Sequence, residues 1–499
     1  MATSDQSYHF TRWTGLIISV CVADSVSFAY DNSLMGSLGV MPAYHKYFEL
    51  TTALTSVNIA MALIGGIVIA LVAGPIIDWK GRRLGILLAC LTQILGAILQ
   101  GCAQNLPTFI IGRFLIGGGT GLAQVACTSY VAETVPSKIR ALALGLFLSC
   151  WAIGSLLAAG ICYGTAAMVD STWSWRIPSL LQAVPAIIVI LNLLVIPESP
   201  RWLARHERLD EAVHIIAKVH GLDLNNSSVK DQQREILENI QYDKENRTYK
   251  AKGYLELFRT RGNLKRTLVL LSVAPCTMLS GSNIITFYFG TMFNKAGIHD
   301  SRTQLEIKSI LSLWQLVVAL AGSLSAERVG RRKLALASMS LAAIFLFLVG
   351  GLTSRYGEGT NKSGIYATIA GIFLFQGGYS LGMTPLGALY PAEIMSFSLR
   401  GYGVSLYAAF SRSCGILASF ALPYGFDAIG WQMYIVNACF DVLLVIMIAV
   451  YWVETKGRTL EEIDFLFDSP RPLRIVDAES IQNKKVNAIV SGEVVLPMS

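Results

Sequence analysis

Apolar residues along this chain come in runs of about 20, the length a helix needs to cross the hydrocarbon core of a bilayer. Such runs fall near 13–36, 55–76, 84–103, 108–132, 141–163 and 177–197, and again near 267–291, 306–326, 334–353, 364–389, 402–425 and 431–453. None alternates apolar with polar over about ten residues, as the strands of a membrane barrel do. The pattern predicts an all-α integral membrane protein with twelve spans, arranged as two six-helix pseudo-repeats. Its expected units are an N-terminal half over 1–200, a cytoplasmic helical linker over 201–265, a C-terminal half over 266–455 and a cytoplasmic tail over 456–499. In the linker, "DEAVHIIAKVHG" and "DQQREILENIQ" carry apolar residues at helical spacing and predict short amphipathic helices.

Composition agrees. Of 499 residues, 53% are hydrophobic and 15% charged, against about 25% charged in soluble proteins, and the mean hydropathy is +0.51. The net charge of +7 comes from basic clusters at Lys80–Arg83, Lys138–Arg140, Arg328–Lys333 and Arg400, all between apolar runs. This is the positive-inside signature of cytoplasmic loops and excludes nucleic acid as a partner. With spans alternating in direction, both termini are expected in the cytoplasm. The N-terminus has no basic segment followed by a small-residue cleavage site, so its first run reads as a retained helix. The nine cysteines lie in apolar runs without metal-ligand spacing, and no metal site is expected.

Three charged signatures occur twice. "GPIIDWKGRR" gives Asp78, Gly81, Arg82 and Arg83; "SLSAERVGRR" gives Glu327, Gly330, Arg331 and Arg332. "YVAETVPSKIR" gives Tyr130, Glu133 and Arg140, matched 260 residues later by Tyr390, Glu393 and Arg400 in "YPAEIMSFSLR". "PESPRWL" closes the first half with Glu198, and "VETKGRTLEEID" the second with Glu454. Duplicated six-helix halves are a transporter architecture with the substrate site between them. The repeated charges are expected at cytoplasmic helix ends, where they pair across helices and across the halves as that side closes and separate as it opens. Neutralising Glu393 is then expected to favour the inward-open state. The alternative is that they only mark helix ends at the headgroups.

These motifs, with "GRFLIGGGTGL" in the fourth run, resemble the sugar porter family of the major facilitator superfamily over nearly the whole chain. "WSWRIPSLLQ", "FAYDNSLMGS" and "TPLGALYPAEIMSF" are most similar to its fungal lactose permease and cellodextrin transporter branch. The resemblance implies the major facilitator fold, alternating access and, in many members, proton symport driven by the proton gradient without a bound cofactor. It places proton coupling on Asp31, with Arg113 of the Gly112–Arg113 pair as its partner. Burial disfavours a charged carboxylate and a neighbouring Arg favours it, so such a pair can change protonation as the protein changes shape. Asp24, seven residues before Asp31, falls on roughly the same helix face; it either tunes that site or faces water.

The substrate positions the family implies are Leu148, Thr277, Met278, Asn283, Tyr288 and Ala388. Leu148, Met278 and Ala388 stand where many hexose porters carry Gln, Gln and Trp. A site stripped of hydrogen-bonding groups loses selectivity for hydroxyl-rich ligands, which argues against an ordinary hexose. Arg412, inside the eleventh run, costs a few kcal/mol to insert. It either holds a substrate anion, pairs with a cavity acid such as Asp441, or bonds helix carbonyls.

Glycines 117–119 and 121 read as close-packing positions and lack the Lys-Ser/Thr of a phosphate-binding loop. Asn361-Lys362-Ser363 is a glycosylation sequon in an outward loop. No nucleophile–base–orienter set is present, so the chain is not expected to be an enzyme. The leading expectation is a transporter of a sugar or glycoside, its partners being that solute, protons and the lipid bilayer. A second keeps the scaffold and makes the cargo an organic anion, sugar acid or secondary metabolite. A third is a non-transporting nutrient sensor, against which the short tail after the last run argues.

Overall fold

The computed structural model describes residues 11–135, 143, 150–168, 170–224, 226, 229–230, 232–234, 236–237, 253–295, 297–357, 361–395, 399–456 and 467. The first helical set comprises Arg12–Leu38 (span 1), Thr52–Lys80 (span 2), Arg82–Gly101 (span 3), Leu106–Thr134 (span 4) and Trp151–Thr165, the described part of span 5. Trp173–Leu181 and Ala183–Leu193 form span 6. Arg261–Met278, Ser282–Phe287 and Phe289–Lys295 together make span 7, followed by Ser301–Val329 (span 8) and Arg331–Tyr356 (span 9). Lys362–Ile394, Arg400–Ile429 and Gln432–Tyr451 are spans 10 to 12. Among the described residues, nine helices are long and apolar enough to cross a membrane. Span 10 is kept continuous through Pro385 and Pro391.

The outer helix faces carry Leu91, Leu95 and Ile98 on span 3 and Leu443, Ile446 and Val450 on span 12, all exposed. That is the pattern of helices whose backbone is satisfied internally and whose side chains meet lipid. The starts of spans 4, 8 and 10 are capped by short polar side chains. Asn105 accepts from Thr108 N at 3.0 Å, Asp300 from Thr303 N at 2.8 Å and Asn361 from Ser363 N at 3.1 Å. Each supplies an acceptor to an otherwise unpaired first-turn amide, so the sequon asparagine also serves as a helix cap.

Span 7 corrects the expectation of one helix over 267–291. Gly281 adopts a left-handed φ of +80°, which interrupts the ladder after Met278. The Leu279 carbonyl released there accepts the Asn437 amide at 2.9 Å. Span 12 thereby satisfies a group the break exposes.

The linker contains the predicted helix at Leu209–His220, and the described residues at 229–237 are helical. Leu203, Ala212, Ile216, Val229 and Ile236 form a small apolar core of their own. Hydroxyls of Thr11 and Thr14 donate to the Val219 carbonyl at 2.8 and 3.1 Å, tying the linker to the start of span 1. Lys218 lies 3.9 Å from the Trp13 ring centroid.

The two halves meet at the opposite end. Ser301 donates to the Val40 carbonyl at 2.8 Å, Lys308 Nζ to the Ser33 carbonyl at 2.9 Å, and Ser155 and Ser312 share a bond of 3.1 Å. The end opposite the linker is therefore held by polar contacts between first-half and second-half helices.

Candidate functional site

At the helix ends nearest the linker, two clusters are built alike. Arg82 Nη2 lies 2.9 Å from Glu133 and 3.1 Å from Asp78; Arg331 Nη2 lies 2.8 Å from Glu393. Tyr130 donates to the Pro197 carbonyl at 2.6 Å, and Tyr390 to that of Val453 at 2.9 Å. Ser199 bonds Glu133, and Thr455 bonds Glu393 at 2.6 Å. Arg83 and Arg332 each reach a carbonyl of the last span of their half, at Leu193 and Ala449. Gly81 and Gly330 make the turns at φ +98° and +101°, a conformation only glycine adopts without strain.

Each of these described pairs joins helices of one half. Arg140 lies outside the described residues, as do the side chains of Glu327 and Arg400, so the expected partners across the halves fall there. Among the described groups, the clusters act as rivets that hold the turn between spans 2 and 3, or 8 and 9, to the end of the same half. Burial pushes the Glu198 carboxyl above its ordinary range, against the opposing pull of the Ser199, Arg83 and Arg82 amides and the Arg82 charge.

Deeper in the first half, Arg113 and Asp31 form an ion pair between spans 4 and 1, with side chains 1% and 4% exposed. Arg113 Nε also donates to the Asn58 carbonyl at 3.4 Å, and Asn58 donates to the Tyr44 hydroxyl at 2.7 Å. Tyr44, Phe48, Phe109 and Trp175 pack ring against ring above the pair. Trp175 comes from the "WSWRIP" segment, and Tyr30 donates to its Pro178 carbonyl at 2.9 Å. This lid of aromatic rings covers the nearly fully buried ion pair on the side of Tyr44. Asp24 does not face water: it is 4% exposed, beside the Gln93 amide and the Cys127 thiol.

Between the halves the structure gathers the substrate positions unevenly. Asn283 Nδ2 donates to the Met278 carbonyl at 2.7 Å, bracing the break in span 7. Met278 approaches Gly415 of span 11, which also abuts Leu63 of span 2. Thr277 returns its hydroxyl to the Ala274 carbonyl at 3.0 Å, and Tyr288 gives its own to Ser419. These two hydroxyls are engaged with backbone. Leu148 and the Ala388 side chain lie outside the described residues.

Arg412 occupies the middle of this interface, 7% exposed. Its Nη2 donates to Gln124 of span 4 at 2.9 Å, and its guanidinium lies 6.0 Å from the Phe28 ring centroid. Phe28 meets Trp151 edge to face at 4.9 Å. Nη1 has no hydrogen-bond partner among the described residues. It fits because Gly66 and Gly121 face it: a Cβ on either would collide with the guanidinium. Arg412 does not pair with Asp441, which lies elsewhere in the second half beside Cys276. Sequence reasoning missed Gln124, an ordinary polar residue in an apolar run, and Lys308, whose place near the start of a run disguised it as a helix-end charge.

Residues 16–467 match the Sugar (and other) transporter family. The high-affinity glucose transporter of Kluyveromyces lactis is 31% identical over 467 residues, spanning 89% of this chain and 83% of that protein. The MFS glucose transporter mfs1 of Aspergillus flavus is 30% identical over 495 residues, spanning 93% and 92%. The structure is similar to that of the proton:xylose symporter XylE bound to 6-bromo-6-deoxy-D-glucose, with a TM-score of 0.75 at 20% identity over 92% of this chain and 100% of that one. Paired helix-end rivets, a buried first-half ion pair, an interface lined from both halves and a family match over nearly the whole length converge: the chain belongs to the sugar transporter family and has the major facilitator fold.

Proposed function

We propose that this protein carries a sugar or glycoside across the plasma membrane by alternating access, driven by protons that bind at Asp31, with both termini in the cytoplasm and no enzymatic step. The observation that carries this is the Asp31–Arg113 pair, buried between spans 1 and 4 under the aromatic lid. A carboxylate so placed is stable while Arg113 faces it. When a rearrangement weakens that contact, burial drives it to take up a proton. The cargo meets amides from Asn283 and Gln124 and the rings of Phe28 and Trp151, a mixed lining suited to a ligand with hydroxyls and an apolar face. The names of the relatives, glucose transporters and a proton:xylose symporter, support the cargo class and the coupling.

External pH in a lightly buffered suspension of transporter-deficient yeast expressing the chain tests the reading. Alkalinisation on adding lactose, cellobiose or glucose, absent in Asp31→Asn, is expected. Sugar uptake with no proton movement would leave the scaffold and remove the coupling.

A second reading, an organic anion or sugar acid as cargo, is favoured by one observation: Arg412 Nη1 is buried in the interface without a partner among the described residues. Arg412→Gln separates the two, since an anionic cargo loses its counter-charge while a neutral one keeps the Gln124 side. Uptake of a sugar acid that survives this change removes the second reading.

A further inference from the structure

Behind the break in span 7, the second half contains a buried polar cluster that the sugar path does not use. Asp441 of span 12 is 0% exposed, and neither of its carboxylate oxygens has a hydrogen-bond partner among the described residues. Asn437, one helical turn earlier on the same face, spends its amide on the Leu279 carbonyl at 2.9 Å. That fixes its side-chain oxygen against Gly281, and this oxygen too has no partner among the described residues. From span 10, Gln376 turns its amide to Ser282 at 3.5 Å and leaves its own oxygen unpaired in the same sense. Tyr379 closes the cluster, donating to the Thr277 carbonyl at 3.0 Å beside Ser280 and within electrostatic reach of Asp441.

Apart from the Ser280 hydroxyl, which has no partner among the described residues, the donors in this cluster are spent and its acceptors are free. One carboxylate and two amide oxygens, on helices that pack against the interrupted span 7, carry one negative charge in a medium that does not tolerate an unpaired one. A proton would neutralise Asp441, but among the described residues the Ser280 hydroxyl would then be one donor for two amide oxygens. A small cation answers the charge and all the oxygens together, and interrupted helices in transporters supply such ligands. Among the described residues no basic side chain pairs with Asp441: Arg412 reaches Gln124 and Lys308 reaches the Ser33 carbonyl.

We propose that Asp441, with the side-chain oxygens of Asn437 and Gln376, binds an alkali-metal cation that locks the break in span 7 to span 12. The site is separate from Asp31 and Arg113, which lie in the other half. Occupancy would set how firmly span 12 holds Leu279, and hence how freely the two pieces of span 7 move beside Met278 and Asn283.

The test is thermal unfolding of the purified full chain in detergent, titrated with sodium or potassium chloride against choline chloride at constant ionic strength. The expected result is a saturable rise in Tm with sodium or potassium. It should vanish in Asp441→Asn, need a higher cation concentration in Gln376→Leu, and persist in the surface control Asp300→Asn. No cation-specific rise in the wild type, or a rise that survives in Asp441→Asn, overturns the proposal. So does a Tm that follows pH alone through Asp441, which would make the occupant a proton. If Asp441→Asn does not fold, an unchanged half-saturation in Gln376→Leu overturns it equally. The readout is unfolding, so its failure is independent of whether the chain moves sugar.

Discussion

The carboxylate of Glu454 accepts the backbone amide of Arg331 at 2.7 Å, joining residues that lie 123 positions apart in sequence. Its second oxygen takes the Arg332 amide at 3.2 Å. Glu198 does the same for Arg82 at 3.1 Å and Arg83 at 3.2 Å. These amides open spans 9 and 3, where the ladder leaves them unpaired and the helix dipole favours an anion. Each glutamate is thus the N-cap of a helix it does not belong to. The positive-φ glycine before each helix has no side chain to do that work.

Glu198→Ala should therefore cost about 1–3 kcal/mol, the penalty for leaving buried donors unsatisfied, read as a loss of Tm in detergent. Glu198→Gln keeps an acceptor and should cost less. The pH dependence has a definite sign. The folded carboxyl is raised above its ordinary value, with burial as the main cause. Its stabilising contribution is therefore fullest below the unfolded pKa of about 4.3 and declines as pH rises through the folded value. The stability difference between wild type and Glu198→Gln should accordingly shift toward the wild type on acidification from pH 7. A difference that does not change between pH 7 and 4.5 would show that Glu198 is not the group that titrates.

Asp31 and Arg113 should show strong non-additivity. Arg113→Leu leaves Asp31 buried with its partner gone, a change that costs about 3–5 kcal/mol in comparable pairs, and should deplete the protein from the cell surface. Combining it with Asp31→Asn removes the stranded charge and should restore surface expression without restoring concentrative uptake. Asp31→Asn alone should reduce accumulation to equilibration while leaving exchange of labelled sugar. Surface immunolabelling and counterflow read the two effects separately.

Much of this was legible in the sequence, and the reasons differ from residue to residue. The spans follow from run length alone, because lipid imposes a thickness. The rivets follow from the repeat, because Arg82 and Arg331 stand in identical local patterns; what the repeat cannot say is whether they bond within a half or between halves, and the described pairs bond within. Arg412 stands out as a charge in an apolar run, but its partner Gln124 does not, since a neutral amide leaves little mark on hydropathy. The break in span 7 was hidden for a similar reason. "LSGSN" is short, small and flanked by apolar residues on both sides, so it does not interrupt the run, and the left-handed Gly281 and the amide of Asn437, far along the chain, decide otherwise.

Glycines with and without neighbours should behave oppositely. A Cβ on Gly117 would overlap the Ala62 backbone of span 2. Neither helix can give there, so Gly117→Ala should lose about 1–3 kcal/mol. Gly160 and Gly351 face open space. Alanine at either should be neutral, or stabilising by up to about 1 kcal/mol through helix propensity. Tm values of the three variants, measured side by side in one detergent, check the ordering; a stable Gly117→Ala would mean that spans 2 and 4 are not packed at backbone contact.

Lys308 offers the most direct handle on the closure at the end opposite the linker, which the proposed topology puts outside. Its ammonium crosses from span 8 to the Ser33 carbonyl of span 1 at 2.9 Å and lies 5.4 Å from the Phe289 ring centroid. Gly36 leaves the space it enters. Beside it, the Ser155–Ser312 bond is neutral and weaker. Lys308→Met keeps the length and apolar stem while deleting one charge-assisted hydrogen bond, worth about 1.5–3 kcal/mol. If that bond holds the halves together outside, its loss should move the equilibrium toward the outward-open form by about tenfold or more, at 1.36 kcal/mol per factor of ten. A cysteine introduced at Thr286, on the broken span 7 and pressed against Gly36, should then react correspondingly faster with a membrane-impermeant maleimide added outside. Ser312→Ala, which removes only the neutral bond, should raise the rate less. Equal rates in Lys308→Met and wild type would mean that apolar packing closes this side and that the lysine is carried there for the cargo.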